Sequence, residues 1–210
     1  MAICKQYYRR NLPHYNPSSA MFFVTFRLAN SLPKETIVRL REERKQLERE
    51  LHKDSKASQH KERLYELHKR YFGKFDKLLD GASTEPHWLS NSHVVKMVVD
   101  AIHYRDSKKY ELIAYSIMPN HVHMVITVER SDTSLYRILQ SLKAFTAKEA
   151  NKILNRNGAF WQNESYDHVV RNEKELGNII WYVLNNPVKA GFVKDWKEWK
   201  WSYCKYDIVD

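Results

Sequence analysis

Cysteine is scarce in this chain, and long apolar runs and internal repeats are missing. The 210 residues include two cysteines, Cys4 and Cys204, which lie at opposite ends without metal-site spacing. We therefore expect free thiols and no disulfide framework. No apolar run approaches the roughly 18 residues that a membrane span requires, and the N-terminus lacks an apolar signal core. These absences predict a cytoplasmic protein with no membrane partner.

Positive charge is what the chain has in excess. Its 35 lysines and arginines outnumber 25 acidic residues, for a formal net charge of +10. Such an excess indicates a polyanionic partner, either nucleic acid or an anionic membrane surface. A hydrophobic content of 43% in a chain of this length is enough for one core and an appended helical piece. We therefore treat residues 1–210 as a single domain.

The most informative segment runs from Ala114 to Val128 and contains two histidines. His121 and His123 stand two residues apart in a pattern typical of a β-strand, so both imidazoles project from the same face of a sheet. This placement suits two metal ligands, provided that a third group arrives from elsewhere in the chain. The alternative is a solvated or hydrogen-bonded histidine pair on an open sheet face.

A helix is predicted over residues 172–186. Asn172 can cap it, apolar residues follow at helical spacing, and Pro187 is expected to end it. Tyr182 and Asn186 are four residues apart and are therefore neighbours on the helix surface. A tyrosine and an amide near two strand histidines would make a metal site with a phenolic nucleophile beside it. The alternative for Tyr182 is a core or interface tyrosine.

The combined motifs resemble those of a known family. They are Met-Pro-Asn-His-Val-His at 118–123, Phe-Trp-Gln at 160–162, Tyr-Asp-His-Val-Val-Arg at 166–171, and Tyr-Val-Leu-Asn-Asn-Pro-Val-Lys-Ala-Gly-Phe-Val at 182–193. In this order they are similar to the REP-associated tyrosine transposases, a branch of the single-tyrosine HUH endonuclease superfamily (IS200-like transposases). The agreement extends from about residue 20 to about residue 203, except for one stretch.

The resemblance implies a mechanism and a substrate. His121, His123 and Asn186 would hold Mg²⁺ or Mn²⁺, with Asn185 as the fallback ligand because residues before proline avoid the α region. Tyr182 would attack the phosphate of single-stranded DNA, forming a 5′-phosphotyrosyl link and freeing a 3′-hydroxyl. Phenol is a weak nucleophile at neutral pH, which is why a cation on the phosphate oxygens would help. The expected substrate is hairpin DNA with a flanking single strand.

The order of predicted elements indicates an α+β fold. Strand, helix, strand, strand, helix, strand is the ferredoxin-like or split βαβ order, which builds an antiparallel sheet, and the resembling family shares it. Asp132 is a candidate cap for the second of the two helices. The elements are a strand at Met21–Leu28, a helix at His93–Tyr104, strands at Tyr110–Ile117 and His121–Ile126, a helix at Thr133–Asn155, and a strand from Tyr166.

The stretch that departs from the family is 33–86. Two charged helical patterns there predict a helical hairpin inserted in the catalytic domain, where compact family members have far less chain. The hairpin is either a salt-bridged spacer or, through its lysines and arginines, a clamp on DNA.

Other candidate DNA contacts are basic residues outside the catalytic motifs. Arg137, Lys143 and Lys148 mark a polar helix face, while Arg9 and Arg10 lie among tyrosines that could stack on bases. Solvated side chains are the competing interpretation for the three residues of the helix face. The sequence leaves open whether the protein is a monomer or a homodimer.

Three functions are therefore compared. The favoured one is a metal-dependent DNA nickase and strand transferase. The alternatives are a catalytically silent module that binds DNA hairpins and a hydrolytic metallonuclease, which would tolerate Tyr182→Phe.

Overall fold

The computed structural model describes residues 7–9, 13–15, 19–54, 57–81, 86–129 and 134–207, with the backbone alone for 7–9, 13–15, 52–54 and 57–61. In chain order the elements are β1 (Tyr7–Arg9), β2 (Pro13–Tyr15), β3 (Ala20–Arg27), α1 (Lys34–Asp54), α2 (Ala57–Asp80), a 3-10 helix (Trp88–Ser90), α3 (Ser92–Arg105), β4 (Glu111–Ile117), β5 (His121–Val128), α4 (Leu135–Ile153), β6 (Tyr166–Val169), α5 (Glu173–Lys189), a second 3-10 helix (Trp196–Glu198) and β7 (Ser202–Cys204).

The chain divides into two compact units, one formed by residues 1–29 and 87–210 and the other by residues 30–86. The first unit contains a five-stranded sheet of order β6-β3-β5-β4-β7, in which every neighbouring pair is antiparallel. Without β7, the order β6-β3-β5-β4 is that of a ferredoxin-like split βαβ sheet, so the predicted fold class is confirmed. β1 and β2 form a separate antiparallel pair.

The two faces of this sheet carry different side chains. Phe22, Val24 and Phe26 of β3 belong to a hydrophobic core that also contains residues of α3 and α4. The alternate residues Phe23 and Thr25 face the other way, as strand alternation predicts. On that second face α5 packs against β4 and β5. The histidine face of the sheet is therefore the face covered by α5.

The boundaries of the helices follow from their caps. The Asn91 side chain accepts from the backbone N–H groups of His93 and Val94 at the start of α3. Ser134 caps α4 by accepting from Arg137 N, whereas the expected cap Asp132 lies outside the described residues. Ser134 is suited to the role because a short hydroxyl satisfies a free N–H of the first turn.

None of the described helices combines the length and the apolar character needed to cross a bilayer.

The second unit is a pair of helices, α1 and α2, that pack on each other. A hydrogen bond and an ion pair link the two helices, because His68 Nε2 lies 3.0 Å from Glu48 Oε1 and the ammonium of Lys74 contacts Glu43. A helical hairpin is therefore present, as the charged patterns predict. Its assignment as an insertion, spacer or clamp within one transposase domain stays a prediction.

Candidate active site

Two histidines from the central strand β5 face each other in the sheet. His121 Nε2 and His123 Nε2 are 3.0 Å apart, and both residues are fully buried. Their rings are inclined at 77°, with centroids 4.6 Å apart. Residues i and i+2 of a strand share a face, which is why the backbone brings these imidazoles together. The expected juxtaposition of the pair is therefore present.

The other ring nitrogen of each histidine has its own oxygen partner. His121 Nδ1 lies 2.6 Å from Asn120 Oδ1, and His123 Nδ1 lies 2.7 Å from Thr25 Oγ1. Because a carbonyl oxygen only accepts, the Nδ1–H of His121 donates to Asn120, and in the neutral imidazole this leaves a lone pair on Nε2. The Thr25 hydroxyl can donate or accept, so His123 can also expose an Nε2 lone pair. Such outer hydrogen bonds orient histidines that bind metals.

His123 is held in its neutral form. Burial lowers the pKa of His123 from its ordinary 6.5 to about 3, and the nearby positive charge of Lys189 lowers it further in the same direction. Neutral imidazole is the form that coordinates a metal ion. The site therefore presents a coordinating form of His123 throughout the physiological pH range.

Tyr182 of α5 lies beside this histidine. Its ring centroid is 5.8 Å from that of His123 and 6.0 Å from that of Phe23, in edge-on arrangements. The ammonium of Lys189, two helical turns further along α5, lies 4.2 Å from the centroid of the Tyr182 ring. A phenol, an imidazole and a cation thus meet on the face of the sheet that α5 covers.

The expectation that Pro187 ends the helix is wrong, because α5 continues through Pro187 to Lys189. The proline costs one helical hydrogen bond, but Asn186 and Pro187 are both buried, and packing of this turn compensates for the loss. Asn186 is fully buried on the same helix face as Tyr182. Asn185, the fallback ligand, instead donates its side-chain N–H to Trp181 O at 3.2 Å.

The expected DNA contacts have different surroundings. Arg137 and Lys148 are exposed on α4. Lys143 has a structural role, because its ammonium donates to Gln162 O, Asn163 O and Ser165 Oγ at 2.7–3.1 Å. The side chain of Arg9 and the whole of Arg10 lie outside the described residues.

Three residues of the site were not singled out from the sequence. Asn120 stood inside the histidine motif, so its position was a usable signal. Lys189 is seven residues after Tyr182, a spacing that returns to the same helix face. Thr25 meets His123 only through the pairing of β3 with β5, in which the two are directly opposite. Pairing register between distant strands leaves no local signal in the chain.

The fold thus brings together a histidine pair on the sheet and Tyr182 on the helix that covers it. Residues 88–186 match the family described as Transposase IS200 like, which confirms the resemblance drawn from the motifs.

Two curated relatives and one solved structure have related names. The chain is 30% identical over 108 residues to "Putative REP-associated tyrosine transposase" of Haemophilus influenzae, covering 47% of this chain and 61% of that protein. It is 28% identical over 111 residues to "REP-associated tyrosine transposase" of Escherichia coli, covering 51% and 62%. The matches thus span about three-fifths of each relative. "Structure of the REP associates tyrosine transposase bound to a REP hairpin" aligns with 93% of this chain and 80% of its own, at a TM-score of 0.49 and 19% identity.

Proposed function

We propose that this protein is a metal-dependent, single-stranded DNA endonuclease and strand transferase that cleaves DNA beside a hairpin. The observation that carries the proposal is the contact of Tyr182 with His123, whose Nε2 lies 3.0 Å from that of His121. A phenolic nucleophile beside two convergent imidazoles suits phosphoryl transfer through a covalent intermediate. The names of the two relatives, which are tyrosine transposases, support the same class of reaction.

The residues present suit a divalent ion. His121 and His123 would supply two nitrogen ligands, and the amide oxygen of Asn186 is the proposed third ligand. Imidazole is a good ligand for transition metals, whereas Mg²⁺ prefers oxygen, so Mn²⁺ is the more favourable of the two candidates. When bound, the ion would polarise the scissile phosphate and reduce the negative charge that repels a nucleophile.

Tyr182 has the central role in the proposed reaction. Its hydroxyl oxygen attacks phosphorus and loses its proton, while the bond from phosphorus to the 3′-oxygen breaks and that oxygen takes up a proton. The products are a 5′-phosphotyrosyl link and a free 3′-hydroxyl. Because the phosphodiester is kept as a phosphotyrosine rather than hydrolysed, attack by a 3′-hydroxyl can reseal or transfer the strand.

The test is a covalent-adduct assay on a denaturing gel. Wild-type protein is mixed with labelled single-stranded hairpin DNA and Mn²⁺, beside reactions with EDTA, Tyr182→Phe and His123→Ala. Tyr166→Phe is the matched control, because Tyr166 also contacts Phe23 but lies on β6. We expect a metal-dependent band that Tyr182→Phe and His123→Ala abolish and that Tyr166→Phe retains.

Other outcomes select the alternatives. Cleavage without an adduct, retained in Tyr182→Phe, would identify a hydrolytic metallonuclease. Hairpin binding with neither cleavage nor adduct would identify a silent binding module.

A further inference from the structure

A basic concavity lies on the other side of the sheet from the histidines. It has a volume of about 430 Å³, and Tyr104, Arg105, Lys108, Lys109 and Arg137 line it. Four of these five residues are cationic. The side chains that line it within the described part of the chain include no carboxylate. Its position follows from α3 and α4, which pack on the face of the sheet opposite α5.

Within the described part of the chain, three cations of this basic concavity have no ion-pair partner. Lys108, Lys109 and Arg137 are exposed, and none of the three forms an ion pair with a residue that the structure describes. Other lysines of the same unit behave differently, since Lys96 pairs with Asp100 and Lys152 with Glu149. Unpaired like charges held together on a concave surface repel one another, and a polyanion relieves that repulsion.

Arg105 fixes the shape of the basic concavity. Its guanidinium donates to Ala101 O on α3 at 2.8 Å and reaches Ser141 O on α4 at 3.5 Å. It thereby spans the two helices, and the backbone N–H groups of Lys108 and Lys109 return to Arg105 O. The turn that carries the two lysines is therefore tied to the end of α3, so the charges are arranged before any ligand arrives.

The aromatic rings nearby favour duplex over single-stranded nucleic acid. Tyr104 is 68% exposed, but Lys108 Nζ lies 3.7 Å from its ring centroid. Phe145 is 47% exposed, and the guanidinium of Arg105 lies 5.4 Å from its ring centroid. Single-strand binding relies on open ring faces for stacking bases, and here a cation already covers a face of each ring. The surface thus presents charge rather than stacking platforms, which suits a duplex with its bases stacked inside.

We propose that the basic concavity binds the phosphate backbone of duplex DNA, at a site separate from the histidines and Tyr182. The sheet lies between the two sites, so a duplex segment on α3 and α4 leaves the α5 face open to a different DNA segment. The inference does not depend on tyrosine chemistry.

The test compares two variants that remove the same charge. The first is Lys108→Gln/Lys109→Gln/Arg137→Gln. The matched control is Lys96→Gln/Lys152→Gln/Lys205→Gln, in which each lysine is ion-paired in the wild type. Affinities for a blunt 20-base-pair duplex and for an oligothymidine of 20 nucleotides are measured by fluorescence anisotropy over a range of KCl concentrations. Adduct formation on hairpin DNA is followed separately.

We expect the first variant to lose duplex affinity while the control keeps it. Each lost phosphate contact lowers the slope of log affinity against log salt by about 0.9, so the slope should fall by about 2 to 3. Affinity for oligothymidine should change equally in both variants.

Equal loss of duplex affinity in the two variants, or none in either, would overturn the proposal. So would a loss specific to oligothymidine. If neither the wild type nor the variants form the adduct, the proposed reaction is contradicted, but the duplex affinities still test the proposed binding site.

Discussion

Thr25 and His123 lie directly opposite each other in the antiparallel pairing of β3 with β5, and Thr25 Oγ1 is 2.7 Å from His123 Nδ1. Thr25 is almost wholly buried, with 4% of its surface exposed. The bond fixes the plane of the His123 imidazole and thus the direction of its Nε2 atom. We therefore predict that the threonine positions the histidine pair.

Loss of the Thr25 hydroxyl should weaken metal binding. Thr25→Val keeps the shape of the side chain but removes the partner of His123 Nδ1. Removal of such a partner typically lowers metal affinity by about 10- to 100-fold. Calorimetric titration with Mn²⁺ should show this decrease, and Thr25→Ser should restore most of the affinity. Equal Mn²⁺ affinity in the wild type and in Thr25→Val would contradict the predicted positioning role of Thr25.

The contrast between Thr25 and the histidines shows what the sequence could predict. Strand alternation places His121 and His123 on one face wherever the strand lies, because that relationship spans two residues. The meeting of Thr25 with His123 spans 98 residues and depends on the pairing register of two strands. Element order was sufficient for the ferredoxin-like fold, whereas register arises from the packing of both sheet faces.

Loss of the Lys189 charge should slow the reaction at Tyr182. The ammonium lies 4.2 Å from the centre of the Tyr182 ring, beside the proposed nucleophile. A cation over an aromatic ring contributes about 1–2 kcal/mol of interaction energy. A change of about 1.4 kcal/mol in the activation free energy changes the rate tenfold. Lys189→Met should therefore form the adduct about tenfold more slowly, with hairpin affinity little changed. Lys194→Met, beyond the helix, should react at the wild-type rate; equal slowing of both variants would argue for a general charge effect.

Acidification should destabilise the metal-free protein through His123. The pKa of this residue is about 3 in the folded state against an ordinary 6.5, so the unfolded chain binds an extra proton between these values. The contribution of neutral His123 to the free energy of unfolding is therefore complete above about pH 6.5 and is lost as the pH decreases towards 3. Urea unfolding in EDTA at pH 7.5, 5.5 and 4.5 should show this loss, and His123→Gln should show less of it.

Exposed His93 on α3 provides the control for that measurement. His93→Gln should retain the wild-type dependence of stability on pH. An identical dependence in His123→Gln and the wild type would show that other groups control the acid response.

The end of α5 marks a limit of prediction from local sequence. A proline after Asn186 normally signals that a helix stops, yet the helix continues for one more turn. The true end is a left-handed residue, Gly191 at φ +75°, followed by a hydrogen bond from Phe192 N to Pro187 O. Pro187 removes only one hydrogen bond from the helix, and burial of its ring compensates for that loss. Whether the ring is buried depends on the tertiary structure, which the local sequence does not reveal.

Two glycines of this region should respond in opposite directions to the same substitution. Gly191 adopts a left-handed conformation, which an alanine side chain disfavours, although nothing lies within 4 Å of the added Cβ. Gly191→Ala should therefore lower the free energy of unfolding by about 1 kcal/mol. Gly177 lies in the interior of α5, also with open space around it, so Gly177→Ala should raise stability by about 0.5–1 kcal/mol through helix propensity. Urea unfolding of both variants measures the difference, and destabilisation by Gly177→Ala would show that this glycine is needed for more than conformational freedom.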